Sequence, residues 1–210
     1  MPCLGIANAD MAMKQRGLSL IEVLSVLTIV AVLAALLYPV FKNVRMRALD
    51  AECASKLRQY GQSLAIYRHE YGGDGVYGHP YAMGLCDSVT LINGGYISED
   101  VVRCPVRPEK NHYAFVGGLD VRGEEYLRGL GIYFAYWKDA GIVRADYNHS
   151  SRKAQDDWYS PYLTRRGIGL YLGGNVRTVL GMATEGDLSF WHDAYEWQKY
   201  LEFTQGGKRR

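Results

Sequence analysis

The sequence predicts an α+β protein, in which one long N-terminal helix packs on a small antiparallel β-sheet head that carries a C-terminal helix. Three observations predict it. An uncharged apolar run lies near the N-terminus, a helical stripe continues that run, and the second half is built from short β-type runs between glycines. A chain of 210 residues, 48% hydrophobic and 22% charged, suits one modest domain plus a dedicated segment. The net charge is +2 and its positive residues are scattered, so no phosphate-tracking surface and no nucleic-acid partner is indicated.

The first element is the run from Val23 to Phe41, VLSVLTIVAVLAALLYPVF, which has no charge and approaches the roughly 20 residues that cross a bilayer as a helix. Lys14 and Arg16 precede it, and Lys42, Arg45 and Arg47 follow it, so flanking charge alone does not orient it. The context KQRGLSLIEVLSVLTIV is more informative, because a basic leader stops at Gly17 and the apolar run starts directly with Leu18. An ordinary secretory signal is cut after its hydrophobic region, and no Ala-x-Ala-like site stands near Phe41. Glu22 is a carboxylate inside this apolar stretch. Such a charge is costly in lipid and calls for a partner, which cleavage after Gly17 supplies as the new α-amino group of Leu18. The competing reading puts Glu22 at the headgroup level of an uncleaved anchor.

These residues, 14 to 41, resemble the signal of type IV prepilins and type II secretion pseudopilins. The resemblance implies a type IV pilin-like fold and a structural subunit of an envelope filament, not an enzyme. It implies that a prepilin peptidase cuts between Gly17 and Leu18 and methylates Leu18, and that Glu22 pairs with the terminal amine of a neighbouring subunit. Pro39 occupies the place where members often loosen the membrane helix through a lost backbone donor. Implied partners are the peptidase, other copies and minor pilins or pseudopilins, the inner-membrane assembly platform, and the membrane itself. The expected location is the inner membrane, spanned once with the head outside, and then an envelope or surface filament. The expected parts are a leader at 1–17, a membrane or filament-core helix at 18–41, its amphipathic continuation at 42–71, and a β-rich head at 72–210. Family leaders are short. A start at Met13 would give MKQRG, with residues 1–12, including Cys3, as an over-long start or a tolerated extension. The alternative function is a membrane-anchored extracytoplasmic binding module that keeps its anchor.

Beyond Phe41, the positions Met46, Leu49, Cys53, Leu57, Tyr60, Leu64, Tyr67 and Tyr71 form one helical face, with Gly72-Gly73 as the stop. Cys53 on that stripe reads as a small core residue. The later β-type runs are 112–116, 131–137, 141–145, 167–172 and 175–180. The last two form a hairpin across Gly173-Gly174, read as a two-residue turn. The sequence FWHDAYEWQKYLEF puts Phe190, Ala194, Trp197 and Leu201 on one face of a final helix expected to pack on the sheet.

The four cysteines, Cys3, Cys53, Cys86 and Cys104, show no Cys-x-x-Cys pair and no His at zinc-ligand spacing, so the sequence points to no metal site. In an exported chain a disulfide is admissible, and Cys86 with Cys104 is the favoured pair, against two free buried thiols. The five histidines form no catalytic motif, and no cofactor is expected. His192, Asp193 and Glu196 read as a solvated helical face, and Asp146, His149, Asp156 and Asp157 as a solvated polar loop. Related major pseudopilins hold calcium in C-terminal loops, and this loop is where the resemblance would put one, although the regular Asp spacing is missing. Cys104-Pro105, Asp146 and Leu172-Gly173-Gly174-Asn175-Val176 resemble the order of a Cys-Pro, an Asp and an Asp-Gly-x-Val strand end in such heads. Gly173 stands where those relatives have Asp.

Overall fold

A computed structural model describes residues 19–106, 114–115, 123–150, 164–182 and 188–206. Gly17, Leu18, Cys3, Asp156 and Asp157 lie outside them, as does most of the run at 112–116. The chain divides into two compact units between Arg45 and Met46.

Helix α1 runs Leu20–Glu70. In the first unit every described residue is exposed, including Leu20, Leu24, Leu27, Val30, Leu37 and Phe41. The polar side chains here are satisfied within the helix: Ser25 Oγ donates to the Glu22 carbonyl at 2.9 Å and Thr28 Oγ1 to the Ser25 carbonyl at 2.8 Å. Pro39 sits inside the helix, where it withdraws the N–H that the Ala35 carbonyl would accept. In the second unit the same helix turns amphipathic. Cys53, Leu57, Tyr60 and Leu64 are buried, and Met46, Leu49 and Tyr67 half-buried, as the stripe predicts; Tyr71, beyond the helix end, is exposed and stacks on Tyr67 at 4.3 Å. Gly72, at φ +77°, takes the left-handed conformation that ends the helix.

Arg68 anchors the segment after α1. Its guanidinium is buried and donates to the carbonyls of Met83 at 2.7 Å and Gly73 at 2.8 Å, tying that segment back onto the helix. The short helix α2, Ser88–Asn93, is capped by Asp87, whose carboxylate accepts the Thr90 N–H. A 3-10 turn, Glu99–Val102, then buries Val101 and Val102.

Strands β1 (Ala114–Phe115), β2 (Ile142–Asp146), β3 (Thr164–Tyr171) and β4 (Val176–Met182) form an antiparallel sheet in the order β1-β2-β3-β4. The β3–β4 hairpin is where the sequence puts it, with Leu170 opposite Val176. Its turn differs from the expected two-residue form: the Gly174 N–H donates to the Tyr171 carbonyl and the Tyr171 N–H to that of Asn175, each at 2.8 Å, and only Gly174 has positive φ, at +84°. This is a three-residue loop closed by a left-handed glycine.

The run at 131–137 is not a strand. It belongs to helix α3, Gly123–Trp137, which buries Leu127, Leu130, Tyr133, Phe134 and Trp137. Those positions recur at helical steps of three and four, and this periodicity outweighs the β-propensity of the aromatic run. Helix α4, Ala194–Gly206, likewise packs on α3 and not on the sheet: Tyr200 and Phe203 meet Tyr136 at 5.3 and 5.2 Å, and Trp197 stacks along Trp137. Helix α1 covers one face of the sheet, with Gly61 against Leu170, and the 3-10 turn Leu188–Trp191 covers the other, because Gly167 and Gly169 on β3 leave a lane that Trp191 fills.

Candidate functional site

Among the described residues, two clusters of polar side chains bear on function. The first is the start of α1. Ser19 and Glu22 form a reciprocal cap: the Ser19 N–H donates to Glu22 Oε2 at 2.7 Å, and the Glu22 N–H donates to Ser19 Oγ at 3.3 Å. Two amides that would otherwise be orphaned at the apolar helix end are thereby satisfied. The Ser-x-x-Glu spelling ahead of an apolar run was available in the sequence as a capping signal. Glu22 therefore has an intramolecular role beside the intersubunit one that the resemblance implies. Gly17 and Leu18, where cleavage is expected, lie outside the described residues.

The second cluster is inside the head and includes Asp146 and His149, which the sequence reads as part of a solvated polar loop. Asp146 ends β2 and His149 stands three residues on; both side chains are wholly buried. The Asn148 backbone and side-chain N–H groups donate to Asp146 Oδ1 at 2.9 and 2.8 Å, which leaves Oδ2 facing inward. Onto Oδ2 converge Cys53 Sγ of α1 at 2.9 Å and His149 Nε2 at 3.3 Å. Cys104 Sγ lies 3.6 Å from the same Nε2. On the other side of the ring, His149 Nδ1 meets Asp50 Oδ1 at 2.6 Å, and Asp50 Oδ2 is paired with Arg166 at 2.5 Å. Ser150 Oγ holds the Arg166 backbone by accepting its N–H at 2.9 Å.

The charges in this cluster depend on one another. Burial pushes Asp146 up, yet hydrogen bonds from His149 and both thiols outweigh it and hold the carboxyl below its ordinary range. Burial pulls His149 down, and the Asp146 carboxylate with the Cys104 sulfur overrides it, raising the imidazole. Cys104 is lowered chiefly by the hydrogen bond from Cys53, while the Cys53 thiol is raised by that bond and by burial. His149 thus stands between two carboxylates, Asp146 and Asp50, and the part-exposed Arg166 pairs with the outer one.

The expected Cys86–Cys104 bond is not present: Cys53, Cys86 and Cys104 are all buried free thiols. The reason is placement. Cys104 belongs to the Cys53–Asp146–His149 cluster, whereas Cys86, its thiol pushed up to about 12 by burial, lies ahead of α2. Cys53 is core, as expected, but it touches a carboxylate and not only apolar neighbours. His192 is not on a solvated face either. It is stacked 3.7 Å from Trp137, and its Nε2 meets the Tyr133 hydroxyl at 2.7 Å, while Asp193 caps α4 through the Tyr195 N–H. The signal that sequence reading passed over is a pair of i, i+3 spacings, Asp50 with Cys53 and Asp146 with His149, each putting two polar groups on one side of the chain.

Comparison with known proteins gives a match at one end of the chain. Residues 12–38 match the model of the prokaryotic N-terminal methylation motif. No curated protein and no solved structure matches the chain. The matched span contains Gly17, Leu18 and the Ser19–Glu22 cap, and it runs on into the exposed apolar half of α1. The N-terminus of the chain thus carries a prepilin-type methylation motif, and this leads into a helix long and apolar enough to cross a membrane.

Proposed function

We propose that this chain is a structural subunit of an envelope filament of the type IV pilus and type II secretion class. In this reading a prepilin peptidase releases residues 1–17 and methylates Leu18. The subunit waits in the inner membrane with its head outside, and is then drawn into a helical filament with copies of itself and minor subunits by an inner-membrane platform. The observation that carries the reading is the division of α1: its first half exposes an unbroken apolar surface, and its second half spends its apolar stripe on the head. A helix that needs apolar surroundings along one half only is suited to lipid before assembly and to a core of neighbouring helices after it.

One observation favours the rival anchored module. The Ser19–Glu22 cap gives the carboxylate a use that requires no second subunit. The N-terminus separates the two readings. Intact-mass analysis of the protein from its host is expected to show Leu18 first, carrying one methyl group, with a portion of the protein in the sheared-filament fraction. A mature chain that retains residues upstream of Gly17 and stays wholly in the membrane overturns the filament reading and leaves the anchor.

A further inference from the structure

We propose that Cys53, Cys104, Asp146 and His149 form a closed tetrahedral site for a divalent ion of the zinc class, with Asp50 orienting the histidine. The proposal concerns the head alone and holds whether or not the chain assembles.

Geometry is the first argument. Cys53, Asp146 and His149 offer ligand atoms that all lie within 4.8 Å of one another. A tetrahedral zinc bonds sulfur at about 2.3 Å and nitrogen or oxygen at about 2.0 Å, which makes a sulfur–nitrogen edge of about 3.5 Å and a nitrogen–oxygen edge of about 3.3 Å. Cys104 Sγ to His149 Nε2 is 3.6 Å, and His149 Nε2 to Asp146 Oδ2 is 3.3 Å. Two of the polyhedron's six edges are already drawn, and Cys104, outside the mutually close trio, joins it through His149. A third, Cys53 Sγ to Asp146 Oδ2 at 2.9 Å, is a thiol donating to a carboxylate, and it has only to open to about 3.5 Å when the proton leaves.

Donor chemistry is the second argument. Two sulfurs, one imidazole and one carboxylate suit zinc and its neighbours, whereas calcium takes six to eight oxygens, which this site cannot supply. The third argument is the supporting shell. A metal-bound histidine commonly donates its far N–H to a carboxylate, and His149 Nδ1 meets Asp50 at 2.6 Å, with Asp50 itself fixed by Arg166. Asp146 is fixed in the same manner, since Asn148 occupies Oδ1 and leaves Oδ2 for the ion. On binding, the two thiol protons and the Nε2 proton of His149 pass to solvent, and the ion takes their place. The bound ion would tie together α1, the segment after Val102, the end of β2 and the turn beyond it. The absence of Cys-x-x-Cys spacing is no objection, because the ligands come from separate elements.

The test uses the full chain in detergent, reduced and metal-free, titrated with Co2+ and then Zn2+. The expected result is one ion per chain, with tetrahedral cobalt bands and a thiolate charge-transfer band that Zn2+ abolishes, and a higher melting temperature in the loaded protein. Cys86→Ser leaves the titration unchanged. Asp50→Asn keeps the band positions and weakens affinity about 10- to 100-fold, as loss of an outer-shell partner does. Cys104→Ser and His149→Gln bind more weakly still and lose or alter the charge-transfer band. A reduced wild-type chain that gives no such band overturns the proposal, whatever the variants do. So does protein from its host in which non-reduced peptides show Cys53 bonded to Cys104.

Discussion

Glu22 has two roles to separate, a cap within its own helix and a counter-charge for another subunit's amine, and the Ser19–Glu22 geometry supplies substitutions that separate them. Gln at position 22 retains an oxygen able to accept the Ser19 N–H, now at 2.7 Å, so the cap survives while the charge is lost. Ala at position 19 does the reverse: it removes the hydroxyl that accepts the Glu22 N–H at 3.3 Å and leaves the carboxylate in place. Loss of a serine cap costs about 1 kcal/mol, a factor of about five in the closure of the first turn, which is small for a helix held along its length. Ser19→Ala is therefore expected to be processed, stored and assembled within a few-fold of wild type. Glu22→Gln is expected to be processed and stored normally and to reach filaments at least about tenfold less well, because an apolar core leaves the neighbouring amine unpaired. The assay is the ratio of sheared filament to membrane pool for wild type and the two variants, in a strain lacking the native copy. Equal filament yield from Glu22→Gln and wild type, with a clear deficit in Ser19→Ala, would refute the intersubunit role and leave Glu22 as a cap.

Two further predictions concern the head. A methyl group on Gly169 would stand 2.4 Å from Ile142 Cδ1 and 2.6 Å from the Trp191 ring, so Gly169→Ala overpacks the sheet and should cost about 1–3 kcal/mol, read as a lower melting temperature; Gly129→Ala, in α3 with nothing within 4 Å, should raise it. The second concerns pH. Burial between the tryptophans, with Arg177 adding to it, lowers His192 from 6.5 to about 4, so the native state keeps the ring neutral while the unfolded chain protonates it. Its contribution is whole above pH 6.5 and is lost as pH falls toward 4; with its partial exposure the loss is on the order of 1–2 kcal/mol, and the melting temperature of His192→Gln should depend less on pH across that window. An identical pH slope in both proteins would remove His192 from the account.

The fold was legible wherever one periodicity spoke alone. The apolar run and the stripe from Met46 to Tyr67 are both strictly helical and both lie in α1, and alternating residues around Gly173-Gly174 produced the β3–β4 hairpin. The misreading of 131–137 came from a conflict between two signals. Ile132, Tyr133, Phe134, Tyr136 and Trp137 have strand-like composition, yet Leu127, Leu130, Phe134 and Trp137 keep helical steps, and burial in the head obeys the steps. Once that segment is helical, α4 has an aromatic face to pack on, and its rings find Tyr136 and Trp137 in place of the sheet.

The head cluster was illegible for a different reason. Each of its members has an ordinary explanation when read locally: Cys53 as one apolar step on a stripe, Cys104 beside a proline, Asp146 and His149 as polar residues at a strand end. Nothing in sequence distance, which separates Cys53 from Asp146 by 93 positions, signals that their side chains touch. What does signal it is cost. A buried carboxylate, a second that is largely buried and a buried imidazole would each be expensive alone, and a fold that collects them around one point must recover that cost there, through mutual hydrogen bonds or through an ion that replaces their protons. Within the protein itself the recovery rests on the Asp146–His149–Asp50 chain of contacts and on Arg166. Breaking that chain at Asp50 leaves His149 without its orienting carboxylate while the four inner atoms remain. For this reason Asp50 is the position at which orientation of the site is measured separately from its ligands.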